Sequence, residues 1–140
     1  MSKTNVFETQ LLEAIFENDV GGLGNLLEAG TLLNLYVSLH VGDPGEGGDQ
    51  ETNEATYTSY ARVELVRASA FTVTGNSVSP DAAITFPAGT GGSGTVTHFG
   101  IGTLTSGAGI LMYSGTVTPN IVTGSGVTPE LTTATAITED

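Results

Sequence analysis

Residues 31–40, Thr31-Leu32-Leu33-Asn34-Leu35-Tyr36-Val37-Ser38-Leu39-His40, mark the point where the chain changes from the period of a helix to the period of a strand. Leu33, Leu35, Val37 and Leu39 fall on one face and Asn34, Tyr36, Ser38 and His40 on the other, the alternation of an extended segment with one apolar side. Upstream the spacing is helical. Phe7, Leu11 and Ile15 stand at i, i+4 and i+8, Leu12 and Phe16 widen the stripe, and Glu8, Glu13 and Glu17 are predicted to face out. Asn5 with Glu8 has capping-box spacing, and Asn18-Asp19-Val20-Gly21-Gly22 ends the pattern. Residues 23–30 carry Leu23, Leu26 and Leu27 between Gly24 and Gly30, too glycine-rich for more than a connector.

Downstream of residue 40 no helical period returns. Residues 42–56 (GDPGEGGDQETNEAT) hold four Gly and the acids Asp43, Glu46, Asp49, Glu51 and Glu54, which reads as a long solvated loop. Alternation resumes over 57–66, and Phe71 to Val78 bends at Gly75-Asn76, a two-residue hairpin signal. Short strands are predicted at 83–86, 95–103 and 110–117, with Thr-rich strands around Ile121 and over 131–137. Val96 and His98 against Phe99 and Ile101, and Ile110 and Met112 against Leu111, Tyr113 and Val117, predict two strands buried on both faces. The fold class expected is mainly β: an antiparallel β-sandwich or barrel of about six to eight short strands with one N-terminal α-helix. One domain spans 1–140, with the helix and connector in 1–30 and the sandwich or barrel, including the acidic loop 42–56, in 31–140.

Composition agrees. The 140 residues include 20 Gly, no Cys and no Trp, so disulfides and thiolate chemistry are excluded. Three Lys and Arg against 15 Asp and Glu give a formal charge of −12, which repels phosphate backbones and anionic lipid: no nucleic acid and no membrane is expected as partner. The start, Met1-Ser2-Lys3-Thr4-Asn5, predicts neither a signal peptide nor a transmembrane segment.

A search for chemistry returns little. The acids of 42–56 lack the alternating oxygen ligands of an EF-hand, so no metal site is assigned. His40 and His98 belong to no metal or catalytic pattern and are expected as packed, hydrogen-bonded imidazoles. Gly91-Gly92-Ser93-Gly94 has no strand-to-helix setting for a nucleophile, and no phosphate-binding lysine follows the glycines. No catalytic residue and no cofactor is predicted. Arg62 and Arg67 should each answer a carboxylate. Glu64 shares the strand face of Arg62, and a salt bridge between subunits is the sharper reading.

Several strings in order carry a resemblance: Leu35-Tyr36-Val37-Ser38-Leu39-His40-Val41-Gly42-Asp43-Pro44-Gly45-Glu46, Tyr60-Ala61-Arg62-Val63, Ala83-Ile84-Thr85-Phe86-Pro87-Ala88, Val96-Thr97-His98-Phe99-Gly100-Ile101, and Leu111 with Tyr113-Ser114-Gly115. Together they resemble a family of small structural proteins of tailed-phage particles, often labelled tail fibre proteins. The resemblance implies a non-enzymatic virion protein, assembled in the host cytoplasm, whose partners are the major capsid protein or tail proteins and which forms a homo-oligomer, a trimer among the options. The small β-rich chain leans toward a capsid decoration (cement) protein that binds and stabilises the head. The alternative is a tail fibre or tail-tip protein that binds a host receptor, for which Tyr57 and Tyr60 are the aromatic pair on offer. Phe7, Leu11, Ile15, Phe16, Leu26, Leu27, Arg62 and Arg67 are the candidate interface.

Overall fold

The computed structural model describes residues 5–18 and 34–139. These gather into two compact units. One is built from residues 5–18, 34, 66–83 and 132–139, the other from 35–65 and 84–131. The predicted connector, with Leu23, Leu26 and Leu27, lies outside the described residues.

The first unit is a helix on a hairpin. Helix α1 (Asn5–Leu12) continues as a wider π turn over Glu13–Glu17 and stops at Asn18, whose φ of 56° is left-handed and whose N–H returns to the Glu13 carbonyl. The hairpin pairs β3 (Phe71–Thr74) with β4 (Ser77–Pro80), and β9 (Ile137–Thr138) adds to β4. Gly75 turns the hairpin with φ +62°, and Asn76 keeps an ordinary φ, the pattern of a II′ turn. Leu12, Ala14 and Phe16 are buried. The Phe16 ring meets Phe71 edge-on at 4.8 Å, which is how the predicted stripe is satisfied. The acids of the helix do not all face water as expected. Glu8 is buried, and Glu17 accepts the Val73 N–H at 2.9 Å. Short hairpin strands leave backbone donors beside the helix, so a carboxylate is drawn in.

The second unit holds a four-stranded sheet in the order β2-β1-β6-β7, from β1 (Asn34–His40), β2 (Val63–Val66), β6 (Gly94–Gly102) and β7 (Leu111–Thr123), and a two-stranded pair of β5 (Ile84–Thr85) with β8 (Glu130–Leu131). The fold is mainly β with antiparallel sheets, as the alternation predicted. The barrel option is not realised: the sheets are open, and nine strands, the longest of 13 residues, stand among the described residues.

In the large sheet Val37 faces Ile101 and Leu39 faces Phe99 across β1 and β6, making an apolar face with Leu35. The other face carries Tyr36 opposite Gly102, Ser38 opposite Gly100 and His40 opposite His98. Both faces of β6 are largely buried, as read from the sequence. For β7 that reading holds only in part: Val117 is buried and Leu111, Met112 and Tyr113 are half-buried, while Ile110 just before the strand is 65% exposed. The reason is position. β7 is an outer strand of its sheet, so its apolar residues have a neighbour on one side only. No helix among the described residues is long and apolar enough to cross a membrane.

Candidate functional site

The polar face of the large sheet decides what this unit can do, because the acidic segment 42–56 folds down onto it. Val41 N–H reaches Asn53 O and Ala55 N–H reaches Leu39 O, both at 2.8 Å, so the segment leaves and rejoins β1 at its end. Asp49 accepts from Glu51 N–H at 2.9 Å, Thr52 N–H at 3.0 Å and the Thr52 hydroxyl at 3.0 Å, a tight Asx turn. The Thr52 hydroxyl, then the Glu51 amide, hold this carboxyl below its ordinary value. The solvated loop expected from composition is therefore an ordered cover. Pro44, Gln50 and Ala55 are buried within it.

Gln50 is the plug. Its side chain is wholly buried, Oε1 accepts from Thr103 N–H at 3.0 Å and Leu104 N–H at 2.9 Å, and Nε2 donates to Leu104 O at 3.3 Å. It lies across Gly102 so closely that a Cβ there would sit 2.2 Å from Gln50 Cδ. Gly100 does the same for the next row, where a Cβ would stand 2.6 Å from Leu111 Cδ1 and 2.7 Å from both His40 Nε2 and Ser38 Oγ. The sheet thus accepts polar cover where it has no side chains of its own.

Behind the plug runs a buried polar network. Glu54 takes Arg62 in a forked pair, Nε to Oε1 at 2.7 Å and a terminal nitrogen to Oε2 at 2.8 Å, while the other terminal nitrogen donates to Leu104 O at 2.9 Å. Tyr60 OH donates to Glu54 Oε1 at 2.9 Å and accepts Leu39 N–H at 3.0 Å. The hydrogen bonds that Arg62 donates to Glu54 hold its guanidinium above its ordinary value, and burial drives the Tyr60 phenol far up. His40 stands between Ser38 and Thr52, with Nε2 2.8 Å from Ser38 Oγ and Nδ1 2.8 Å from Thr52 O. A carbonyl only accepts, so Nδ1 carries the proton and Nε2 accepts the Ser38 hydroxyl. Burial lowers His40 from its ordinary value, against a smaller opposing pull from Thr52 O and Glu54. Such a serine–histidine pair could serve a nucleophile in the open. Here both side chains are sealed under the cover, and their chemistry is cohesion.

Outside this network lies a groove of about 550 Å³ between the cover and β7, lined by Asp43, Glu46, His98, Leu111, Ser114 and Thr116 among others. Among the described residues no three His, Asp or Glu side chains converge to hold a cation.

The candidate interface residues fall in separate places. Phe16 is spent inside the first unit, Leu11 and Ile15 are half-buried, and Phe7 remains 38% exposed beside Val6 at 68%. Leu26 and Leu27 lie outside the described residues. Arg62 has its carboxylate, Glu54 rather than Glu64, within its own unit. Arg67 caps the helix: its Nε donates to Ile15 O at 2.5 Å and a terminal nitrogen to Ala14 O, which satisfies carbonyls left over at the helix end. Sequence reasoning missed Gln50, Glu54 and Tyr60. The one visible hint was Gly100 and Gly102 inside a strand, positions where another chain segment comes close.

A family model described as podophage GP4 fiber I protein gp80 matches residues 2–137. No curated protein matches the chain.

Proposed function

We propose, since this chain belongs to the podophage GP4 fiber I protein gp80 family, that it serves as a non-enzymatic structural part of the tail fibre apparatus of a podophage. A structural role in a phage particle, in contact with other virion proteins, follows from the family. The placement at the fibre is our reading, and it replaces the lean toward capsid decoration drawn from size and composition. The observation that carries it is the family match over nearly the whole chain, under a fibre description. The physical features support a structural part: the buried polar side chains Ser38, His40, Gln50 and Arg62 are held by internal hydrogen bonds, and the Ser38–His40 pair is closed to any substrate.

A receptor-binding tip is less well supported. Tyr57 is buried, its OH donating to Pro87 O at 2.8 Å, and Tyr60 packs beside it with its OH inside the network, so this pair offers no aromatic platform to a glycan. Self-association as a homo-oligomer, with the trimer among the options, belongs to the same proposal and is read by light scattering of the purified chain. The deciding experiment is gold labelling of intact particles, tail-less heads and isolated tails. Label on tails and none on heads is expected; label spread over the head lattice overturns the fibre placement and restores the cement reading.

A further inference from the structure

The groove beside β7 joins two features that call for the same kind of partner. β7 ends the sheet order β2-β1-β6-β7, and among the described residues no strand lies on its far side. In an antiparallel ladder alternate residues aim their N–H and C=O away from the partner, so half of the β7 amide groups point outward as a template. Between two register breaks the pairing is regular, from Tyr113 opposite Ile101 to Thr116 opposite His98. Further along, the exposed Pro119 has no N–H to offer, which limits any added strand to the part before it. That part lines the groove, and Asp43 and Glu46 line it with β7.

We propose that the outer edge of β7 from Leu111 to Val117 receives an extended, basic segment of another virion protein, which pairs as a fifth strand and sets its cations against Asp43 and Glu46. The proposal rests on the structural role above and names the surface through which that role is exercised. Charge selects the occupant. The chain carries −12, and its described cations, Arg62 and Arg67, are each bonded inside their own unit, so a second copy brings acid to acid, whereas a basic strand brings the complement. Main-chain pairing supplies affinity, and alternate side chains dropping into the groove supply selectivity.

The probe is a peptide of alternating valine and lysine about one strand long, compared with the same peptide N-methylated along one edge, which keeps the charge and loses the pairing. Binding of the first peptide should raise amide-exchange protection in residues 111–117 by about tenfold or more. The methylated peptide, and the Ser114→Arg chain whose new side chain fills the groove, should each bind about tenfold more weakly. Equal binding of both peptides reduces the effect to bulk charge and overturns the proposal. Protection of the same amides that rises with protein concentration alone makes the occupant a second copy, and overturns it too. In particles, Ser114→Arg protein with an unchanged urea midpoint should be missing. If it is incorporated at wild-type occupancy the docking edge is wrong while the virion role stands, and if the wild-type chain itself is missing from particles the virion role fails first.

Discussion

Replacing Glu54 by Gln is the sharpest probe of the buried network. The Arg62 side chain is 2% exposed and Glu54 17%, and the two meet at 2.7 Å. Removing the negative charge strands a guanidinium in a place water barely reaches, which costs about 3–5 kcal/mol in comparable pairs. Gln keeps one acceptor oxygen for Tyr60 OH, and Leu104 O still takes one Arg62 proton, so the lower end, about 3 kcal/mol, applies. Arg62→Met leaves a carboxylate that keeps Tyr60 and can reach water, and costs about 2 kcal/mol. The double variant holds no stranded charge, so it should also lose only about 2 kcal/mol, which gives a coupling near 3 kcal/mol. The four tyrosines, Tyr36, Tyr57, Tyr60 and Tyr113, all lie in the second unit and there is no Trp, so urea unfolding followed by tyrosine fluorescence reports that unit alone. A loss below about 1 kcal/mol for Glu54→Gln, or a coupling below about 0.5 kcal/mol, refutes the reasoning and makes the pair a surface ornament.

Gly100→Ala should cost about 1–3 kcal/mol in the same assay, because its methyl collides with Leu111, His40 and Ser38 at once; a neutral result means that face is looser than its distances. Phe16→Ala should destabilise the first unit by about 3–5 kcal/mol and speed amide exchange through residues 71–80, with the tyrosine signal unchanged. Lowering the pH should weaken the second unit through His40. Its folded value is depressed below 6.5, so the unfolded chain takes the proton first; stability is complete above 6.5 and falls as the pH drops from there through the folded value. His40→Gln should flatten the fall in urea midpoint between pH 7 and 5, and an equally steep fall in that variant assigns the effect to other groups, Glu54, Arg62 and His98 being the charged neighbours that act on His40.

What the sequence revealed was what local chemistry controls. The period change at residue 31 located β1, Gly75-Asn76 located the hairpin, and the Phe7–Phe16 stripe located the helix. Loop 42–56 was read in part: Asp43, Glu46 and Glu51 are exposed as its composition suggested, but nothing within it announces that Gln50 will find Thr103 and Leu104, or that Glu54 will find Arg62. Glu8 and Glu17 were placed outside by helical spacing, yet Glu8 is buried and Glu17 accepts the Val73 N–H of the hairpin. The apolar residues of β7 looked buried on both sides because alternation cannot tell an inner strand from an outer one. The candidate site was least legible for the same reason, since every bond that defines it joins residues distant in the chain.

The glycine rows of the large sheet constrain how this protein can change over generations. Gly102 is shaped by Gln50, Gly100 by Ser38, His40 and Leu111, and Gly115 by the Phe99 ring, whose Cε1 stands 2.7 Å from where its Cβ would be. None of the three gains a methyl without displacing its partner, and the cost falls if that partner shrinks in step. Drift across this face should therefore proceed by compensated pairs, and a chain with a bulkier residue at 102 should carry a smaller one at 50.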